Sequence, residues 1–344
     1  MGSYTSMMNA LGLQCAQVLI TQHDFICPQR YGRLTSTLEA LAKRLTGGER
    51  ELLVWRRGRQ RCAAIYEFVA NNIEFIPTFG LQKGAYGTLV DGMGNAFDQS
   101  DLMVQLLREA GFTDADYMFG ELDLSASEAN DLFGTTNIWA ARNLLLNSGN
   151  ASANVIWTGS EYRLQFSHCW VIVDISGTDR VFDPAFKTYT SVSGINLGTA
   201  LSYNQTNFMS NATSGATVAT DYVKDMNRAN IRSDLATMTD NLVDWIKTND
   251  PDASVTDILG GREIVAVTIP LLQTSLSYQK SGSTPTRWTA IPTGYKATFS
   301  VYFDGGNIDE TFYSADVYGK RLTFFYNGSH EAELRLDGTL LGTS

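Results

Sequence analysis

The segment that most constrains the fold is EYRLQFSHCWVIVDISGTDRVFDPAF, at residues 161–186. It contains two apolar runs rich in β-branched and aromatic residues, which are typical of strands. Ser-Gly-Thr-Asp at residues 176–179 separates the two runs, and this composition favours a tight turn. We therefore predict a β-hairpin here.

A second segment, GMGNAFDQSDLMVQLLREAGF at residues 92–112, predicts a helix. Its apolar side chains recur at helical spacing and Gly111 ends the pattern; they are Met103, Leu106, Leu107 and Ala110. A helix start stabilises a reactive anion, because its backbone N–H groups are unpaired and the helix dipole is positive there. The residue at this start is Ala96, and its methyl group cannot act as a nucleophile. Alanine is also a poor capping residue.

The remaining patterns predict a mixture of helices and strands. We expect helices at 8–20 and 34–46, and two short helical stretches in 49–72 interrupted by RRGRQR. Extended chain and loop are expected over 73–95, followed after the next helix by a strand in FTDADYMFGEL and helix-compatible sequence up to 146. Residues 200–260 are predicted to be helical. We interpret their apolar stripe as core packing; it comprises Ile231, Leu235, Met238, Leu242 and Trp245. From residue 264 onward, short strand candidates alternate with glycine-containing turns.

Together these patterns predict an α+β fold. A helical segment and a small C-terminal β domain follow it. The predicted divisions are an N-terminal helical layer at 1–48, a core at 49–200, a helical segment at 201–260 and a β accessory domain at 261–344.

Composition limits the classes of partner and cofactor. The 26 Lys and Arg residues face 36 Asp and Glu residues, giving a net charge of −10, which argues against a nucleic-acid partner. No apolar run approaches the roughly 20 residues that span a bilayer, so we predict no membrane span. The three histidines are isolated in sequence and the four cysteines form no CxxC pairs, so we predict no metal and no cofactor.

His168 and Asp183 are the candidate chemical pair of the hairpin. A tight turn centred on Gly177-Thr178 would place Asp183 opposite Ile172, about 13 Å along the strand from His168. A bulge or wider loop that recentres the pairing near residues 175 and 176 would place Asp183 directly opposite His168, and we predict such an irregularity. The alternatives are structural: His168 as a satisfied core histidine, and Asp183 as the residue of a strand-ending turn.

Three segments, taken in order, resemble the transglutaminase-like superfamily of cysteine peptidases and acyltransferases. The helix segment resembles the family's Gly-x-Cys helix start and Leu-Leu-Arg-x-x-Gly helix, SHCWVIV resembles its His-x-Trp strand, and RVFDPAF resembles its Asp-Pro strand end. Upstream, AAIYEFVANNIEFIP and GLQKGAYGTL are similar to the lead-in helix and loop of bacterial members, particularly modules of large exported YD-repeat proteins. The resemblance covers about residues 60 to 190.

The resemblance implies a papain- or transglutaminase-like core, in which the helix beginning at residue 96 packs on an antiparallel sheet. It also implies a role for individual residues. Ala96 takes the place of the nucleophilic cysteine, His168 that of the general base and Asp183 that of the carboxylate that orients the histidine. The weaker candidates are Gln82 and Tyr86 for the oxyanion hole, and Trp170 for the wall of the cleft. The implied partners are a protein or peptide substrate and a larger parent polypeptide, and the implied location is outside the cell.

Two explanations of Ala96 follow from the resemblance. We interpret the alanine as an engineered replacement that inactivates a thiol enzyme, because two of the three catalytic parts remain and the opening MGSYTS resembles an expression remnant. The alternative is a natural, non-catalytic peptide-binding or scaffold module that uses the same cleft.

Overall fold

A computed structural model describes residues 38, 40–43, 45, 54–268, 273–303 and 308–343. Helices and antiparallel strands occur together, so the predicted α+β class is confirmed. The chain divides into two compact units: Tyr189–Glu263 forms one, and the described residues before and after it form the larger one. The predicted helix at 8–20 lies outside the described residues, whereas residues 38, 40–43 and 45 are helical within the predicted 34–46.

The helices of the larger unit differ from prediction at two places. They are α1 (Val54–Asn72), α2 (Gly84–Asp91), α3 (Ala96–Glu109), α4 (Ala126–Phe133) and α5 (Ile138–Asn147). The basic run RRGRQR does not interrupt α1, because arginine and glutamine are good helix formers and one glycine costs only about 1 kcal/mol. The helix α2 replaces the predicted loop, and α3 matches its prediction, ending before Gly111.

One five-stranded sheet organises this unit, beside a short parallel pair formed by β1 (Glu74–Phe75) and β2 (Met93–Gly94). Its strands are β3 (Asp116–Ser125), β4 (Asn154–Trp157), β5 (Tyr162–Asp174), β6 (Asp179–Phe182) and β11 (Thr286–Trp288). Strand β5 is central: it pairs with β3 along its length, and β4 and β6 pair with its two ends on the other side. The Ser100 hydroxyl donates to the Cys169 carbonyl at 3.1 Å, so α3 lies against the stretch of β5 between β4 and β6.

The predicted hairpin of β5 and β6 is confirmed, but the predicted irregularity is wrong. The connection is a two-residue turn at Ser176-Gly177, and both residues have positive φ (62° and 80°), as a type I′ turn requires. Val171 pairs with Phe182, so one further step would place Asp183 opposite Trp170. Asp183 is therefore diagonal to His168, a spacing that side chains can bridge.

The chain after residue 264 is strand-rich as predicted, but its first part belongs to the central sheet. Strand β11 pairs with β3, and Gln279 forms a bridge with Leu122. The remaining elements are β12 (Thr298–Tyr302), β13 (Asp309–Tyr313), α10 (Ser314–Val317), β14 (Leu322–Tyr326), β15 (Ala332–Leu336) and β16 (Thr339–Thr343). A small separate core forms around Ile308, Ala332 and Leu334.

The smaller unit comprises Tyr189–Glu263, and within it β7 (Tyr189–Val192) pairs with β10 (Gly261–Ile264). Its other elements are α6 (Leu197–Ala200), α7 (Gln205–Ala212), β8 (Thr217–Val218), β9 (Val223–Lys224), α8 (Arg228–Asn249) and α9 (Val255–Leu259). The interpretation of the α8 stripe as core is wrong, since none of its residues is buried and Leu235 is 51% exposed. No helix in the described part of the chain could cross a membrane.

Candidate active site at the start of helix α3

The start of α3 is held by a polar residue just before Ala96. Asn95 is the capping residue: its side-chain oxygen accepts from the Asp98 backbone N–H at 3.0 Å, and its amide donates to the Gly80 carbonyl at 2.8 Å. Ala96 is thus the first helical residue and not the cap, so the poor capping ability of alanine does not apply to it. Gly94 lacks a side chain for steric reasons, since a Cβ there would lie 2.9 Å from both Asp98 and Thr88.

Asp98 fixes the loop before α2 against the start of α3. One of its oxygens, Oδ1, accepts from the backbone N–H groups of Gln82, Lys83 and Gly84 at 2.8 to 3.1 Å. Burial raises the pKa of Asp98, and these backbone hydrogen bonds act in the opposite direction. The loop and the start of α3 are therefore joined into one framework.

His168 and Asp183 are brought together by the hairpin. His168 Nε2 and Asp183 Oδ1 lie 3.0 Å apart, and the two side chains are only 2% and 1% exposed. An ionised carboxylate only accepts hydrogen bonds, so Nε2 is the donor in this pair. The other ring nitrogen, Nδ1, makes no hydrogen bond to the described residues and is the one that can accept a proton.

The Asp183 carboxylate has three further donors. Its Oδ1 also accepts from the backbone N–H groups of Ala185 and Phe186 at 3.1 and 3.2 Å. Its Oδ2 accepts from the Tyr278 hydroxyl at 3.2 Å. Sequence analysis missed Tyr278, because it lies 95 residues further along the chain in a stretch assigned to the accessory domain. The buried charge is thereby well solvated by protein groups.

A buried lysine lies close to this pair. Lys187 is 3% exposed, and its ammonium donates to the carbonyls of Val69 and Ala70 at 3.1 and 2.7 Å, at the end of α1. Burial lowers the pKa of Lys187 to about 7, although the charges of Asp183 and Glu74 oppose the shift. A protonated lysine at this position is stabilised by the negative end of the α1 dipole.

A small cavity of about 10 Å³ lies between two of the predicted site residues, Ala96 and His168. This is space for about one water-sized group. Ala96 and His168 both line it, and so does the buried Asn150, whose amide donates to the Ser167 carbonyl at 2.8 Å. The rest of the lining is mostly apolar and comprises Phe75, Pro77, Thr78, Phe79, Phe97, Leu145, Phe166 and Ser167.

The weaker candidates from the sequence lie away from this cavity. The backbone N–H of Gln82 is bonded to Asp98, and its side-chain amide donates to the Phe79 carbonyl at 3.2 Å. Tyr86 lies on α2, and its ring packs close to Gly319: a Cβ added to this glycine would lie 3.1 Å from the ring. Trp170 is buried against Gly120 in the sheet, and its indole N–H has no partner among the described residues. Their proposed roles stay predictions.

The two described cysteines have the properties of core residues. Cys62 and Cys169 are both fully buried and unpaired. Burial raises the pKa of Cys62 to about 12, and burial likewise raises the pKa of Cys169 well above its usual value. A buried thiol of this kind is chemically inert, so neither replaces a nucleophile at position 96. Within the described residues, no cluster of His, Cys, Asp and Glu could hold a metal ion.

No protein-family model and no curated protein matches this sequence. Among solved structures, the chain has a partial match to the crystal structure of a protein from Cytophaga hutchinsonii that is provisionally named a cysteine protease. The two are 17% identical with a TM-score of 0.25. The match covers 49% of this chain and spans 44% of that one.

Proposed function

We propose that this chain is the inactive form of a thiol peptidase or acyltransferase that acts on a peptide or carboxamide bond through a Cys-His-Asp triad. Ala96 takes the place of the nucleophile. The observation that carries the proposal is the buried pair of His168 and Asp183, 3.0 Å apart, beside a cavity that Ala96 also lines. A histidine that is held by a carboxylate near a helix start is suited to activate a thiol.

In the intact enzyme, His168 Nδ1 takes the proton of the thiol at position 96. The thiolate then attacks the substrate carbonyl, a C–S bond forms, and the C–N bond breaks as His168 returns the proton to the leaving amine. The resulting thioester is released by water, which gives a peptidase or deamidase, or by an amine, which gives a cross-link. Asp183 keeps the imidazole in the tautomer that this sequence of transfers requires.

The developing oxyanion needs donors that are not already engaged. The backbone N–H of residue 96 belongs to the first turn of α3 and has no acceptor within the helix. The backbone N–H of Gln82 is already bonded to Asp98, and Gln82 does not line the cavity, so we assign the second donor to Asn150. Its Nδ2 carries two hydrogens and contacts one acceptor among the described residues, and it lines the same cavity.

The size of the cavity supports the proposal that Ala96 stands in the place of a larger residue. A cavity of about 10 Å³ beside Ala96 is suited to a group of about the size of a sulfur atom or a water molecule. The second candidate function, a natural non-catalytic peptide-binding module, is favoured by the alanine itself, since the chain as it stands has no nucleophile at this helix start.

The test restores the thiol with Ala96→Cys and presents it with a proteome-derived peptide mixture in the presence of hydroxylamine. Hydroxylamine intercepts a thioester and leaves a hydroxamate on the acyl donor, which mass spectrometry identifies. The controls are the Ala96 protein and Ala96→Cys combined with His168→Ala. The donor peptides would also reveal whether the enzyme attacks side-chain carboxamides or the backbone.

We expect hydroxamates with Ala96→Cys alone, since both controls lack one part of the triad. Hydroxamate formation that is equal in all three proteins, or absent from all three, would contradict the proposed activity. If none forms but the peptide mixture contains sequences that the Ala96 protein retains, the binding module is the better account of the cleft.

A further inference from the structure

The contact between Tyr278 and Asp183 joins the hairpin to a part of the chain that the sequence assigned to another domain. The Tyr278 hydroxyl donates to Asp183 Oδ2 at 3.2 Å, while Oδ1 accepts from His168. The two oxygens of one carboxylate are thus bonded to different partners. A carboxylate bonded at both oxygens cannot rotate about its Cβ–Cγ bond without breaking one of these hydrogen bonds.

The Tyr278 side chain is itself held in place from two directions. Its ring stacks on Phe186 with the ring centroids 4.0 Å apart and an interplanar angle of 23°. Its backbone carbonyl accepts from the Asp123 N–H at 2.8 Å, which attaches this segment to the side of β3 that faces away from β5. Phe186 belongs to the same short stretch as Asp183, so one tyrosine contacts both the carboxylate and the chain that carries it.

The hydroxyl remains a donor under all ordinary conditions. Burial raises the pKa of Tyr278 well above its usual value, and the negative charge of Asp183 raises it further. The phenol therefore stays protonated. Because this donor is neutral, it satisfies a lone pair of Asp183 without competing with the positive charge that His168 acquires when it takes a proton.

We propose that Tyr278 is a positioning residue that locks the orientation of the Asp183 carboxylate and, through it, that of the His168 ring. Its consequence for catalysis rests on the proposed function, but the positioning itself does not. The hydroxyl acts through Asp183 and does not touch the substrate. The segment around Tyr278 is therefore part of the active site rather than of an accessory domain.

The direct test uses the Ala96 protein and measures exchange of the His168 ring N–H with water by ¹H–¹⁵N NMR. The chain has three histidines, so His23→Gln and His330→Gln assign the signal. Tyr278→Phe keeps the ring and removes only the hydroxyl. Tyr117→Phe is the matched control, because the Tyr117 hydroxyl also donates to a carboxylate, Asp101 Oδ1 at 2.6 Å, away from the hairpin pair.

We expect the His168 ring N–H to exchange at least tenfold faster in Tyr278→Phe and within twofold of the parent rate in Tyr117→Phe. Equal rates in Tyr278→Phe and the parent, or equal acceleration in both variants, would overturn the proposal. Circular dichroism checks that each variant is folded. If Tyr278→Phe does not fold, Phe186→Leu keeps the hydroxyl but removes the ring that supports it, and the same acceleration is expected.

A second arm separates this proposal from the proposed function. In the Ala96→Cys background, Tyr278→Phe is expected to lower kcat about tenfold with little change in KM, because the hydroxyl does not contact the substrate. If no background forms hydroxamates, the proposed function fails while the ring N–H result still decides the positioning. If hydroxamates form and kcat is unchanged in Tyr278→Phe, only the positioning proposal fails.

Discussion

The buried Lys187 gives the protein a pH dependence of stability that can be worked out from its surroundings. Its pKa is lowered to about 7 in the folded protein by burial, against 10.5 for an ordinary lysine. Between these values the unfolded chain holds a proton that the folded protein has lost. Stability rises with pH wherever the unfolded state binds more protons, so this lysine makes the protein more stable as the pH rises above 7.

The size of the effect follows from the proton difference. When the unfolded state binds one proton more than the folded state, each pH unit adds about 1.36 kcal/mol to the free energy of unfolding. For Lys187 this difference in bound protons grows from about one half at pH 7 to nearly one at pH 9. Integration over this range gives about 2 kcal/mol of added free energy of unfolding.

The assay compares urea unfolding of the parent protein and Lys187→Met at pH 7, 8 and 9. Methionine fills a similar volume and cannot titrate, so subtracting the two free energies cancels the other ionisable groups. Lys280→Met is the control, since Lys280 forms a surface ion pair with Glu121 and is not enclosed by the core. The free-energy difference between the parent and Lys280→Met is expected to stay constant from pH 7 to 9. If the difference between the parent and Lys187→Met also stays constant, within about 0.5 kcal/mol, the reasoning is refuted.

Two further substitutions test the framework of the site. Gly120→Ala places a Cβ 2.8 Å from the Trp170 ring and 3.1 Å from Pro285, so we expect a loss of about 1 to 3 kcal/mol by urea unfolding, against little change in Gly328→Ala, where nothing lies within 4 Å. Asp98→Ala removes the acceptor of three loop N–H groups and should cost about 3 kcal/mol or more, whereas Asp98→Asn keeps an oxygen and should cost less; equal losses in the two would contradict this role.

Local pattern was sufficient to predict the elements that carry the candidate residues. The helical spacing of Met103, Leu106 and Leu107 gave α3, since all three lie in the core. The apolar runs around the turn gave β5 and β6. The exact register was not predictable, because it depends on a left-handed Ser176, a conformation that serine seldom adopts.

Elements stabilised by distant contacts were missed. The glycines of α2 lower its helix propensity, so the sequence pattern did not predict it. The helix is stabilised by residues that are distant in sequence: Asp98 binds the loop before it, and the Tyr318 ring packs against Gly87 so closely that a Cβ there would lie 2.5 Å from the ring. Tyr278 was missed for the same reason, since its partner Asp183 is remote in sequence. For the apolar stripe on α8, the helix was predicted correctly but its burial was not, because helical spacing alone does not bury a residue.

The measurement that tests the central claim most directly is the alkylation of Ala96→Cys by iodoacetamide at pH 6, followed by intact mass and peptide mapping. The Ala96 protein provides the background from the four natural cysteines, of which Cys62 and Cys169 are buried. If position 96 carries the nucleophile, its thiol labels much faster than the others below the ordinary thiol pKa of about 8.5, and His168→Ala slows it. Labelling at the rate of an ordinary thiol, unaffected by His168→Ala, would contradict the account.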